Sequence, residues 1–444
     1  MARWIKTWNP EDPAFWAATG RRIARRNLIW SILAENVGFS IWLIWSVTAA
    51  RLNSVGFTYT TDQLFTLVSV PGLVGALIRF PYTFAVPKFG GRNWTIVSAL
   101  LLLIPTVGLV VLVQRPDTPF WLMAVVAASA GLGGGNFASS MANISFFFPD
   151  REKGWALGLN AAGGNIGVST VQLLVPLIIV AGGGLHLERA GLMWIPLALV
   201  AAICAALFMD NLSTAKSTFV DQLAVAREKH TWVMAFLYIG TFGSFVGYSA
   251  AFPLLLKIQF PEVTTNLAFL GPLVGSLVRP FGGRLADRVG GARVTLYNFA
   301  VMALATVGVI IFVSMHSLPG FLACFLALFV AAGIGNGSTF RMIPAIFRAL
   351  HRSSRVGHLV DSNAAPAPEP EDGQVIARRQ AAAVIGICSA LGALGAFFIP
   401  QILGRSIKAT GGPATAFAVF VVGYAVCVAV TWWHYRRAGL LGDV

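Results

Sequence analysis

Charge is what this sequence has least of. Only 11% of its 444 residues are charged while 56% are hydrophobic, and a water-soluble fold lacks the polar surface to cover so apolar an interior. Acidic residues are the scarcer sign, 18 against 32 basic, which leaves a net charge of +14. Cysteine is reduced to Cys204, Cys324, Cys388 and Cys427, all in apolar runs and without ligand spacing, so neither disulfides nor a zinc site is indicated. The six histidines are read as lying outside the apolar runs, which excludes an intramembrane histidine proton relay. No run carries a serine, histidine and acid set, a zinc-ligand helix motif or paired carboxylates, so an enzyme is not expected, nor is a metal or a cofactor. A cleavable leader is not expected either, because the first apolar run starts only near residue 29, is of full span length and lacks a small-residue cleavage pattern.

Long apolar runs are what the chain has instead. Twelve of them are long enough to cross roughly 30 Å of hydrocarbon as helices, near 29–50, 63–87, 94–114, 120–148, 155–182, 191–209, 231–256, 265–286, 292–315, 318–348, 381–403 and 413–436. With the N-terminus inside, 23 Lys/Arg fall on cytoplasmic segments, counting Arg284, Arg293, Arg348 and Arg436 at the cytoplasmic ends of spans, 6 on external loops and 3 deep within spans. That asymmetry is the positive-inside pattern and places both termini in the cytoplasm. It also accounts for the positive charge without nucleic acid: Arg21-Arg22-Ile23-Ala24-Arg25-Arg26 stands just before the first span as a topology anchor.

The chain repeats itself. Leu73-Val74-Gly75-Ala76-Leu77-Ile78-Arg79 matches Leu273-Val274-Gly275-Ser276-Leu277-Val278-Arg279, and Gly90-Gly91 with Thr95 matches Gly290-Gly291 with Thr295, all 200 residues apart. A weaker echo joins Gly131-Leu132-Gly133-Gly134-Gly135 to Gly333-Ile334-Gly335-Asn336-Gly337 at about the same offset. The expected fold is therefore an all-α membrane protein with twelve transmembrane helices in two six-helix pseudo-symmetric halves, which resembles the major facilitator plan. Residues 1–209 form the first half, 210–230 a cytoplasmic linker and 231–444 the second half, with a Pro- and Ala-rich cytoplasmic loop at 349–380 expected to be flexible.

Three arginines fall deep inside spans, away from their ends: Arg79, Arg279 and Arg341. One carboxylate does, Glu35. An arginine at the bilayer centre costs about 2.5–3.5 kcal/mol even on the lenient insertion scale, so it needs a partner. Arg79 and Arg279 are repeat equivalents, which a two-fold axis would bring to facing sides of a central cavity. Their missing partner is then a small oxyanion, which the planar guanidinium fork suits. The alternative is that each arginine bonds helix carbonyls or reaches to an interface. Glycine runs on spans four and five allow close approach of helices, and the amides of Asn136, Asn143, Asn160 and Asn165 should face a cavity or neighbouring helices. Asn165 is a candidate donor to an anion. Glu35 and Arg341 both lie toward the cytoplasmic halves of their spans, where they could pair.

Asn136-Phe137-Ala138-Ser139-Ser140-Met141-Ala142-Asn143-Ile144-Ser145-Phe146-Phe147-Phe148-Pro149, followed by Lys153-Gly154 and the run from Gly158 to Gly167, closely resembles the nitrate signature of the NarK nitrate/nitrite porter family. Thr60-Thr61-Asp62-Gln63-Leu64-Phe65, Thr241-Phe242-Gly243-Ser244-Phe245 and Gly337-Ser338-Thr339-Phe340 agree as well, and Ala286-Asp287-Arg288-Val289-Gly290-Gly291 resembles the general facilitator loop motif. The resemblance implies a rocker-switch transporter in a bacterial inner membrane, expected as a monomer, in which Arg79 and Arg279 clamp nitrate or nitrite between aromatic rings. It implies that Asn165, Tyr238, Phe137 and Phe242 line the substrate site, and that the glycine-rich helices, with Gly163, Gly164, Gly167, Gly333 and Gly335, are surfaces that slide during alternating access.

An interior negative by 100 mV opposes entry of one negative charge by about 2.3 kcal/mol. Proton symport would offset this through a titrating group, and Glu35 is the candidate, with Arg341 beside it. Its alternatives are a static Glu35–Arg341 pair and uncoupled nitrate/nitrite antiport. Two further classes remain: an anion channel, whose single-channel currents would separate it from a carrier, and a receptor or scaffold, against which the arginine pair speaks.

Overall fold

The computed structural model describes residues 4–215, 225–263, 265–362 and 371–437. Twelve long helices account for most of them. In chain order they are α1 (Pro13–Val55), α2 (Thr61–Phe89), α3 (Gly91–Leu112), α4 (Phe120–Phe147), α5 (Asp150–Ile178), α6 (Arg189–Phe208) and α7 (Lys229–Gln259). Then come α8 (Leu270–Val289), α9 (Gly291–Ser314), α10 (Leu318–Phe347), α11 (Ala383–Thr410) and α12 (Ala414–Arg437). Among the described residues, 11 of these are long and apolar enough to cross a membrane. The exception is α8, whose apolar run is interrupted by Arg279, Arg284, Asp287 and Arg288. Helix α10 runs on to Ser362, and helix resumes at Glu371 ahead of α11. Residues 216–224 of the linker and 363–370 of the expected flexible loop lie outside the described residues.

Local chemistry sets the helix ends. Thr60 and Gln63 form a reciprocal capping box that starts α2. Gly90 and Gly290 end α2 and α8 with φ of 86° and 96°, backbone that only glycine adopts without strain. Sequence equivalents are thus structural equivalents. A two-residue parallel ladder, Trp4–Ile5 (β1) against Asn211–Leu212 (β2), ties the N-terminus to the end of the first half. Beside it the Asp210 carboxylate accepts from Arg26 Nη2 at 2.5 Å and from Asn27 Nδ2 at 3.0 Å.

The halves meet along α2 against α11 and α5 against α8. On the face opposite the termini they are bolted together: Gln401 Nε2 donates to Ser69 Oγ at 2.8 Å, Gln172 Nε2 to the Ser249 carbonyl at 2.6 Å, and Arg51 Nη2 to Thr265 Oγ1 at 3.2 Å. A Cβ built on Gly72 of α2 would stand 2.5 Å from the Ala396 carbonyl carbon of α11. Toward the termini, Cβ atoms on Gly158 of α5 and Gly386 of α11 would meet nothing within 4 Å, while one on Gly154 of α5 would stand 3.0 Å from Arg341 Nη1 of α10.

The histidine expectation needs correction: His434 lies inside the run near 413–436, and His230 and His434 fall within α7 and α12, at the ends nearest the termini, where both rings pack on Tyr435.

Candidate anion-binding site

Arg79 is fully buried midway along α2. Its Nε donates to the Gly134 carbonyl of α4 at 3.0 Å and its Nη1 to the Ser389 carbonyl of α11 at 2.6 Å, so the group spans the two halves. Three rings surround it, with centroids 4.8 Å (Phe137), 5.3 Å (Phe242) and 5.4 Å (Trp42) from Cζ. Each cation–π contact in so dry a place is worth about 2 kcal/mol or more. The carbonyl-bonding alternative is therefore partly right, yet it leaves Nη2 buried without a partner.

Arg279 on α8 is 5% exposed. Its Nη2 donates to Tyr238 Oη at 3.2 Å, Phe340 lies 5.8 Å below Cζ, and Nη1 has no partner. The two arginines are joined by a ladder of rings: Phe137 stacks on Phe242 at 6.1 Å, and Phe242 on Tyr238 at 5.3 Å. A π-helical turn over Ile239–Gly243 lies in that stretch of α7. Tyr238 and Phe242, four residues apart, lie nearly parallel at 18°, and such turns recur at functional sites.

Two buried cations, each with an unpartnered donor nitrogen and walled by π faces, have the chemistry to hold a planar oxyanion. Asn165 adds a buried amide with neither atom bonded. It stands one residue off the α5 stripe that meets α1, and α5 also packs on α8. Among the described residues no three or more His, Cys, Asp or Glu stand together so as to hold a metal.

Glu35 is buried in α1. Its Oε2 accepts from Ser140 Oγ at 2.5 Å and from Asn160 Nδ2 at 2.7 Å, while Oε1 has no partner. It lies within electrostatic range of both Arg79 and Arg279. Arg341 is elsewhere. Its Nε and Nη2 bond the two carboxylate oxygens of Asp287 at 2.9 and 2.7 Å, with both side chains nearly half exposed. The expected Glu35–Arg341 pair is not formed, because Arg341 sits at the rim of α10 where a second carboxylate and water are both in reach.

A family model described as Major Facilitator Superfamily matches residues 29–360. The chain belongs to that superfamily. Within it the chain is a member of the NarU/NarK group: it is 43% identical to the "Nitrate/nitrite transporter NarU" of Escherichia coli, over 98% of this chain and 96% of that one. It is 36% identical to the "Probable nitrate/nitrite antiporter NarK2" of Thermus thermophilus, over 98% and 97%. In fold it is similar to a D-xylose-proton symporter, with a TM-score of 0.63 at 15% identity over 92% of this chain and 97% of that one. It is equally similar to an inward-facing bacterial homologue of the lysosomal transporter Spinster, also 0.63, at 14% identity over 92% and 96%.

On this major facilitator frame, Arg79, Arg279, Phe137, Phe242 and Tyr238 come together, and Glu35 joins them through space. The five glycines seat helices inside one half. Built Cβ atoms on Gly163, Gly164 and Gly167 would strike Ile32, Glu35 and the Asn36 carbonyl of α1, while those on Gly333 and Gly335 would strike the Gly275 carbonyl and the Asn298 amide. Motion of one half against the other does not run over them; a gating role requires α1 to shift on α5, or α10 on its own neighbours. Sequence reasoning did not single out Trp42, Ser140 or Phe340. Ser140 and Phe340 stood inside the quoted motifs without a role, and Trp42, which packs edge-on against Phe39 one turn earlier on α1, stood in no motif.

Proposed function

We propose that this chain carries nitrate, and nitrite, across a bacterial inner membrane by alternating access, as a nitrate/proton symporter in which Glu35 takes the proton. The observation that carries the anion reading is the pair of buried guanidinium groups, each with one unpartnered donor nitrogen, at the two ends of one aromatic ladder. The names of the relatives at 43% and 36% identity agree with it. Basic residues crowd the face that carries the termini, which assigns that face to the cytoplasm. The working unit is taken as a single chain.

The proton half of the reading rests on charge. Glu35 shares a desolvated region with two arginines and keeps one carboxylate oxygen free to accept a proton. One proton on Glu35 and one nitrate between the arginines leave the summed charge of the three groups unchanged. Crossing as a pair thereby removes the roughly 2.3 kcal/mol per 100 mV that opposes the anion alone. Arg341, bound to Asp287, has no part in this step.

Nitrate uptake into reconstituted vesicles under an imposed pH gradient tests the coupling. Acid outside should drive accumulation, and Glu35→Gln should abolish that component while preserving nitrate binding. Exchange is the second reading, favoured by the antiporter name of the 36% relative. Uptake that ignores the gradient but follows nitrite loaded inside would establish exchange and remove symport. Discrete single-channel currents would replace both with a channel.

A further inference from the structure

Beside their arginines the two halves differ at a position that the repeat makes directly comparable. Close contacts define the equivalence: Gly131 of α4 abuts Gly75 of α2, and Gly333 of α10 abuts Gly275 of α8. Residues of α4 therefore map onto α10 two positions beyond the arginine offset, and Gly134 maps onto Asn336. In the first half the Trp42 ring fills the space over both Gly75 and Gly134, where a Cβ would stand 2.7 and 2.6 Å from it, and the same ring lies beside Arg79. In the second half the ring over Gly275 is Phe245, a smaller one. Where the indole lies against Gly134 beside Arg79, the equivalent position of the second half carries the amide of Asn336.

Two contacts place Asn336 there independently. Phe340, one helical turn further on the same face of α10, stands over Arg279. Gly337, the next residue, abuts the Arg279 carbonyl, with a built Cβ 2.3 Å from it. Asn336 itself is 1% exposed, and neither its Nδ2 nor its Oδ1 has a partner. Buried amides are seldom left so, because the lost hydration is not returned.

We propose that Asn336 is a further binding group of the anion site, donating from Nδ2 to the oxyanion held between Arg79 and Arg279, and that it sets the preference for nitrate over nitrite. The proposal rests on the anion-carrier reading above. Nitrate presents a third oxygen after the two guanidinium groups have each engaged one; nitrite does not. An amide arriving from the second half serves that third oxygen, so its loss falls on nitrate.

The test is uptake of labelled nitrate by the full chain in vesicles, with the nitrate KM and the nitrite concentration that halves uptake measured together. Asn336→Ala should raise the nitrate KM about tenfold or more, the scale of one hydrogen bond to a charged ligand, and should move the nitrite value by less than about threefold. Asn336→Ser, which retains a donor, should fall between, and it decides the matter if the alanine variant does not fold. Changes within about twofold for both anions, or equal changes for both, would overturn the proposal while leaving the carrier reading in place. Absence of nitrate and nitrite uptake by the unmodified chain would overturn both.

Discussion

Arg79 spends two of its nitrogens on carbonyls of different helices and keeps one for a ligand. That division needs a planar fork, and lysine, a single point charge, cannot reproduce it. Arg79→Lys should therefore raise the nitrate KM by about tenfold to a hundredfold, the value of a charge-assisted bond or two, with folding retained; the check is uptake beside a thermal unfolding curve. The pairing of Arg79 with Arg279 was legible from the repeat, since two buried cations at equivalent positions pose the same unsolved electrostatic problem. The partner of Arg341 was not. Position along a helix does not give depth, and α10 extends past the membrane rim, where Asp287 competes. Since Glu35 bonds Ser140 and Asn160 instead, Arg341→Gln should leave unchanged the ratio of nitrate uptake with a pH gradient to uptake without one, whatever happens to the absolute rate.

At the scale of the helix, glycines with the same sequence signature do different work. Gly167 lets α5 touch α1: Ser40 Oγ donates to its carbonyl at 2.8 Å, and a Cβ there would stand 2.2 Å from the Asn36 carbonyl oxygen. Backbone cannot yield as a side-chain tip can, so Gly167→Ala should destabilise by about 1–3 kcal/mol through overpacking. Gly158, nine residues earlier on the same helix, faces open space, and Gly158→Ala should be neutral or stabilising by up to about 1 kcal/mol through helix propensity. Thermal unfolding of the two variants in detergent checks both, and equal losses would show that α5 is not packed as described. The glycine runs themselves were legible in the sequence as close-approach helices. Which neighbour each one approached was not, because that depends on the angle around the helix axis, and the π turn in α7 shifts such angles partway along.

For the whole molecule, closure opposite the termini rests on a few polar bridges between halves. Gln172 and Gln401 supply three of the contacts, to Ser249, Ser69 and Thr66. A neutral hydrogen bond contributes about 0.5–1.5 kcal/mol net, and an alternating-access carrier needs its closed states within a few kcal/mol of one another. Gln172→Ala combined with Gln401→Ala should therefore shift the population toward opening on that face. A cysteine placed at Ala396, which Gly72 covers in the closed arrangement, should then react about 5-fold or more faster with a membrane-impermeant thiol reagent, following the population arithmetic for two such bonds. No change in rate would show that the bridges do not hold the closed face.

Sequence alone determined the number and spacing of the helices, the duplication, the charge asymmetry between the two faces and the burial of two equivalent arginines. All of these follow from how each residue partitions between water and hydrocarbon, which is a property of position along the chain. Tertiary structure decided the rest: that Glu35 answers to Ser140 and Asn160, that Arg341 turns to Asp287, that rings from both halves form one ladder between the arginines, and that the amide of Asn336 is buried with neither atom bonded. Those outcomes depend on helix rotation and on the separation of the halves, and neither quantity is written in the order of the residues.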